Sequence, residues 1–327
     1  MKLTKALLSV AFATLLAGTA SAREIKLGHV AAPGSLFDKT CTEFAKRANA
    51  KLAKVPGDWK VVVYGSSQLG KDAEMIKKLK LGTIDLALPS TVMSSQVPEF
   101  GLFEMPYLVK SRAHMAKIRE KIVDPKLIPL AAKDGLHILG VWENGFRQIT
   151  NNVRPINKPE DLKGIKLRTP KGTWRVKMFK AYGANPTPLA FSEVFVALKT
   201  GAMDGQENPY AQIYPARFYE VQKYLSITNH VYTPAYLTAG RSLAGMPEAV
   251  QKILKDTAVE MQPVALQYGA ELDKSLLAKL KEKGMKVNTA DTAAFIKASK
   301  PIYEEFAKEV KGGKELIDEA MSLAPGS

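Results

Sequence analysis

"PEAVQKILKDTAVEMQPVALQYGAELDKSLLAKLKEK", residues 247–283, is the stretch on which the architecture depends. Val250, Leu254, Thr257, Met261, Ala265, Tyr268, Leu272, Leu276 and Leu280 follow one another in steps of three or four, the period of one helix face. Pro247 suits a first turn and Gly284 a stop. At about 1.5 Å per residue such a helix is about 55 Å long. A unit of about 100 to 150 residues is only on the order of 30 Å across, so the helix must run along two units. Pro263 removes one helix hydrogen bond, and the pattern therefore predicts either one bent helix or two shorter consecutive ones.

The sequence before it alternates strand and helix in the α/β manner. Strands are expected at "EIKLGHV" (24–30), "WKVVVYG" (59–65), "TIDLALP" (83–89) and "LHILGVW" (136–142), with helices over about 35–54, 71–82 and from Ser111. A second unit opens near Gly145 with the strand "GFRQITN" (145–151), a short helix "KPEDLKG" (158–164) and the strand "GIKLRTP" (164–170). A helix over about 173–182 is ended by Gly183, and "FSEVFVALKTG" (191–201) is a helix with Ser192 as N-cap and Gly201 as stop. "DGQENP" (204–209) reads as a polar turn, and "SITNHVYTP" and "AYLTAG" as later strands. The expectation is two α/β lobes braced by a shared helical spine, with a cleft between them where a small ligand fits.

Residues 1–22 join a basic leader, "MKLTK", to an apolar run too short to span a bilayer and a small-residue site, "ASA", which together read as an export signal cleaved near Ala22. The single cysteine, Cys41, allows no internal disulfide. It shares a helix face with Leu36, Phe37, Phe44 and Ala48, as a buried inert thiol would. With 47 Lys and Arg against 32 Asp and Glu the chain carries a net charge of +15. The lysines are spread along helices, as in "IKKLKLG" and "LLAKLKEKG", rather than gathered in one arginine-rich block, so they read as solvated helix faces and not as a nucleic-acid surface. The excess charge still favours encounters with anions.

No phosphate-cradling glycine loop, His-Glu-x-x-His, Gly-x-Ser-x-Gly or paired-cysteine motif is present, and the four histidines lack ligand spacing. Neither catalysis, a metal nor a cofactor is expected. What stands out is cationic groups at strand ends. Arg168 in "KLRTP" and Arg147 in "GFRQIT" occupy the edge at which open α/β sheets hold ligands, and a planar guanidinium suits a carboxylate. Charge-assisted hydrogen bonds are worth roughly 1.5 to 3 kcal/mol each, and micromolar affinity needs about 8 kcal/mol. Two arginines, an amide and some apolar burial reach that range.

The segments "SQLGKDAEMIKKLKLGTIDLAL" (67–88), "ENGFRQITN" (143–151), "PEDLKGIKLRTP" (159–170), "GANPTPL" (183–189), "FSEVFVALKTGAMDGQENP" (191–209) and "EVQKYLSITNHVYTP" (220–234) resemble the extracytoplasmic solute-binding proteins of TRAP transporters, in the branch that binds four-carbon dicarboxylates and sialic acid. The resemblance runs through nearly the whole mature chain in the right order. It implies a two-lobed, periplasmic-binding-protein-like fold, with lobe I over 23–145 plus about 234–273 and lobe II over 146–233 plus about 274–327. It also implies a monomeric periplasmic receptor that closes on a small organic acid, a monocarboxylate or dicarboxylate with or without hydroxy or keto groups, and delivers it to a sodium-driven integral membrane TRAP permease. By the same resemblance Arg168 is the carboxylate clamp, Arg147 the second basic contact, Asn208 the amide contact, Phe191 the aromatic neighbour and Glu74 a first-lobe contact for ligand hydroxyls.

From the residues alone, Trp142 and Trp174 lie near the two arginines in sequence and offer an aromatic wall, with helix packing the alternative for Trp174; His29 follows the first strand, where it can donate to a ligand hydroxyl or keto oxygen or simply be a loop or core-edge histidine. Phe191 has an alternative place as a hydrophobic staple on Val196, and Glu207 one in the turn or a lobe contact. The rival readings are a secreted hydrolase or lyase using the same cleft and a receptor for an ATP-driven importer.

Overall fold

The computed structural model describes residues 23–326; the expected export signal lies outside them. In chain order the strands are β1 (Arg23–Gly28), β2 (Trp59–Tyr64), β3 (Leu86–Ala87), β4 (His137–Phe146), β5 (Gln148–Asn151), β6 (Lys166–Thr169), β7 (Asn185–Pro188), β8 (Gly205–Asn208), β9 (Tyr224–Ile227), β10 (Tyr232–Ala239) and β11 (Lys286–Thr289). They form a mixed sheet in the order β2-β1-β3-β10-β4 and a second in the order β11-β9-β5-β8-β6-β7. The chain leaves the first sheet through β4 into β5 and returns through β9 into β10. These two crossings lie side by side, because β4 and β10 pair antiparallel along their length.

The third connection is the spine, one continuous helix from Glu248 to Glu282 that passes through Pro263. Of the two alternatives in the sequence, the single helix is the one formed. Pro263 is exposed, so the carbonyl four residues back, on exposed Val259, is left to water rather than buried without a partner. Val250, Leu254, Ala258, Met261 and Ala265 pack with Phe44, Leu139 and Trp142 under the first sheet. Leu272, Leu276 and Leu280 pack with Phe218 and Leu225 under the second. Each leucine so buried contributes about 1.5 to 3 kcal/mol, and the spine is thereby fixed to both bodies.

Local signals explain the elements that carry the site. Ser35 caps the helix Leu36–Leu52 by accepting from the Asp38 N–H at 3.2 Å, and Cys41 is buried on that helix's inner face. Gly82 closes the helix Asp72–Leu81 in the left-handed region, φ 75°, which glycine adopts without strain. The C-terminal helices Thr292–Ala298, Lys300–Glu309 and Gly313–Ser322 touch both halves: Phe306 stacks edge-on against Trp174 at 5.1 Å, and the Tyr303 hydroxyl donates to the Pro106 carbonyl at 2.7 Å.

Five details differ from the sequence reading. "GFRQITN" is not one strand: Gly145 and Phe146 end β4, Arg147 lies between, and β5 begins at Gln148. "TIDLALP" yields only the two-residue β3, because the Asp85 carboxylate, rather than a strand carbonyl, accepts the Lys26 N–H at 2.8 Å. Ser192 makes no cap bond and sits inside a 3-10 turn, Phe191–Glu193, ahead of the helix Val194–Lys199. "SITNHVYTP" is divided: Ser226 and Ile227 end β9, while Tyr232–Pro234 run on into "AYLTAG" as β10, where a register shift at Thr233/Pro234 absorbs the proline's missing N–H. "DGQENP" is no turn: Gly205–Asn208 is β8, a wholly buried strand between β5 and β6.

Candidate functional site

A polar strand in the middle of a sheet needs partners for every side chain, and β8 has them. Gln206 donates to Thr150 Oγ1 at 2.9 Å and accepts from Asn208 Nδ2 at 2.7 Å. The Glu207 carboxylate is the hub. It accepts from Arg147 Nε at 2.5 Å and Nη2 at 3.0 Å, and from Arg175 Nη1 at 2.8 Å to each oxygen. His230 Nε2 lies 3.0 Å from its other side, with Nδ1 2.8 Å from the Thr228 hydroxyl. Burial pushes the Glu207 carboxyl up, but the Arg147 and Arg175 charges outweigh it and hold the group well below the usual carboxylate range. Burial takes His230 down to about 4 against the pull of Glu207, so it is a neutral imidazole donating to a carboxylate.

Arg147 is therefore held rigidly at the β4–β5 crossing. Its Nη2 also donates to the Glu207 carbonyl at 2.6 Å and to Asn208 Oδ1 at 3.0 Å. Arg168 is placed differently. It projects from the end of β6, in register with Gln206 of β8 and Thr187 of β7, and is 3% exposed. Its Nε and Nη2 donate to one carbonyl, that of Leu189. Among the described residues it forms no ion pair. Burial lowers it to about 9, opposed by Glu207 and then reinforced by Arg147, so it remains a cation at neutral pH. A buried, unpaired guanidinium is costly to keep unless something anionic meets it.

Both arginines line a narrow cleft of about 50 Å³, placed between two bodies as small-molecule sites usually are. Val30, Phe37, Asp72 and Ser90–Val92 face it from the first sheet's side. Arg168, Pro170, Phe191, Asn208 and Gln212 face it from the second, and Asn144 and Arg147 stand where β4 crosses over. At the rim Lys71 Nζ and Glu193 Oε1, one from each side, meet at 2.7 Å. The Asp72 carboxyl is pushed up to about 6 by burial, against the lowering effect of Arg168.

Of the residues singled out from sequence, Arg147, Arg168, Asn208 and Phe191 converge on this cleft. Phe191 packs on Phe218 at 5.8 Å, not on Val196, which is exposed. Glu74 stands apart, exposed in an adjoining outer chamber, where its carboxylate caps its own helix by accepting from the Lys71 N–H at 3.0 Å. His29 is buried behind the wall, 3.8 Å from Asp38, and is lowered to about 4 by burial. Trp174 is packed on Phe306, with Lys177 4.6 Å above its ring. Trp142 faces the spine, donating to the Ala258 carbonyl at 2.9 Å. Neither tryptophan lines the cleft. The sequence reading missed Asp72, Ser90, Asn144 and Gln212 as lining residues, and Arg175, Glu207 and His230 as the support of Arg147.

The arrangement is a small chamber between two bodies, lined by one guanidinium paired with Glu207, one without an ion pair among the described residues, and polar groups of neutral or negative character. The family model described as DctP, bacterial extracellular solute-binding protein family 7, matches residues 27–309. The 2,3-diketo-L-gulonate-binding periplasmic protein YiaO of Escherichia coli is 34% identical over 278 residues, 84% of this chain and 85% of that protein. A crystal structure of a TRAP periplasmic solute-binding protein from a Polaromonas species, bound to D-erythronate, superposes with a TM-score of 0.87 at 34% identity, covering 92% of this chain and 99% of that one. Another, from Sulfurospirillum deleyianum with bound succinate, gives 0.86 at 33% identity, covering 92% and 99%. The match over most of the length, in sequence and in fold, places this chain in the DctP family of TRAP periplasmic solute-binding proteins.

Proposed function

We propose that this protein is the periplasmic receptor of a TRAP transporter, that it binds a small organic acid without turning it over, and that it hands the acid to a sodium-driven membrane permease. The observation that carries the reading is Arg168, a buried cation with no ion-pair partner among the described residues, lining a cleft between the two sheets. A ligand carboxylate completes it, with Arg147, Asn208 and Phe191 beside it. The relatives named above, one called a diketo-gulonate binder and two solved with erythronate or succinate, support an acid as the ligand.

The lobes that close are residues 23–145 with about 234–273, and 146–233 with about 274–327. Ligand touching both shifts the population towards the closed form, by as much as its affinity for closed exceeds that for open. Thermal-shift screening against a library of organic acids tests the reading, because a ligand at about a hundred times its Kd stabilises the folded state by about 2.7 kcal/mol. At least one carboxylic acid is expected to raise the melting temperature in wild type and not in Arg168→Ala. A library in which no acid does so overturns the reading.

A further inference from the structure

Among the described residues, the cleft contains one buried cation that forms no ion pair, one buried acceptor without a donor, and one carboxyl without an ion pair. Arg168 is the cation. Arg147 is paired with Glu207, and Lys71 at the rim with Glu193; Lys171 is exposed in the outer chamber.

The first acceptor is fixed by a chain of hydrogen bonds that can run in one direction only. The Pro234 carbonyl has no proton to give, so the Ser90 hydroxyl donates to it at 2.7 Å. The Ser90 oxygen then accepts from Asn144 Nδ2 at 3.2 Å, which turns Asn144 Oδ1 towards Gln212 Nε2, 3.1 Å away. Gln212 is left with Oε1 free of any partner among the described residues, on a side chain that lines the cleft and is 3% exposed. A buried acceptor in that position calls for a donor. The second acceptor is Asp72, which lines the same cleft from the opposite body and forms no ion pair among the described residues.

The geometry points to a hydroxylated monocarboxylate as the ligand class: one carboxylate on Arg168, a hydroxyl donating to Gln212 Oε1, and Asp72 accepting from a further hydroxyl while rejecting a second anionic group. The inference rests on the organic-acid reading and narrows it. A second carboxylate has no proton for Gln212, meets like charge at Asp72, and finds among the described residues no second unpaired buried cation in the cleft to offset its desolvation. A hydroxyl has the proton and no charge.

Isothermal titration of the wild-type protein with D-erythronate, galactonate and succinate tests it; erythronate and succinate have the same number of carbons, so charge and hydroxylation are what differ. The tighter of the two hydroxy acids is expected to bind about tenfold or more tightly than succinate, as in sites built to hydrogen-bond a hydroxyl. Gln212→Leu is expected to narrow that ratio, and Asp72→Asn to raise the affinity for succinate. Succinate binding as tightly as both hydroxy acids, or a ratio that neither substitution moves, overturns the inference and leaves the organic-acid reading standing. No response to any acid, here or in the wider library, overturns both. Should Gln212→Leu fail to fold, Asp72→Asn and the wild-type comparison still decide the matter.

Discussion

Arg168 donates from Nε and Nη2 to a single acceptor, the carbonyl of Leu189, at 2.8 and 2.5 Å. One edge of the guanidinium is thereby anchored to main chain, and Nη1 makes no hydrogen bond to the described residues. The group is aimed before ligand arrives, so little of the binding free energy is spent on ordering it. Lysine can supply the charge but neither the double anchor nor the planar fork. Arg168→Lys is expected to weaken acid binding by well over tenfold, roughly the 1.4 kcal/mol or more lost with one charge-assisted bond. Titration calorimetry checks it, and wild-type affinity in the variant would remove Arg168 from the clamp.

Glu207 neutralises two guanidiniums that have almost no contact with water. Glu207→Gln keeps the shape and removes the charge, leaving Arg147 and Arg175 buried side by side. The loss expected is about 3 to 5 kcal/mol, the usual result of breaking a buried ion pair from one side. Urea denaturation measures it; an unchanged midpoint would mean that the network adds nothing to stability.

That network is also where the sequence was hardest to read. The spine, the helix Leu36–Leu52 and β1, β2 and β4 announce themselves because their apolar residues keep the helical or strand period, and Arg168 because it stands at a strand end. β8 does not. "GQEN" has no apolar alternation, and its polar side chains are buried only because Arg147, Arg175, Thr150 and His230 reach it from distant parts of the chain. Sequence distance misled in the opposite sense for Trp142 and Trp174. Each is near an arginine along the chain, yet an alternate strand position or a helix face turns it into a core. Gln212 and Asn144 carry no local signal at all; their orientation is set by a proton chain that starts at the Pro234 carbonyl.

His29 and His230 are both lowered by burial from 6.5 to about 4. The unfolded chain takes up a proton on each as pH falls through 6.5, while the native state holds them neutral until near 4. Protons therefore favour the unfolded chain across that window, and stability falls with decreasing pH by about 3 kcal/mol per imidazole. Asp72, raised to about 6, works the other way and offsets part of the loss. The clean comparison is wild type against His29→Gln: the variant is expected to lose less stability between pH 6.5 and 4, by about 3 kcal/mol. Parallel stability-versus-pH curves for the two proteins would show that His29 is not held neutral.

Gly269 lies on the spine directly against the Glu143 carboxylate, in a space that a Cβ would occupy. Glu143 there accepts from Arg112 Nε at 2.9 Å and Nη2 at 2.5 Å; the same Nη2 reaches Asp273 Oδ2 at 2.5 Å, and the Tyr232 hydroxyl donates to Glu143 at 3.2 Å. First body, crossing strand and spine are thus tied together one helical turn from residue 269. In an open stretch of helix Gly→Ala stabilises by roughly 1 kcal/mol. Here the methyl group must displace a buried, doubly bonded carboxylate, and overpacking of that kind costs about 1 to 3 kcal/mol. Gly269→Ala is therefore expected to lower the denaturation midpoint, the reverse of the propensity effect. A higher midpoint would show that the spine and β4 can separate without cost at this level, and that the crossing is held from elsewhere.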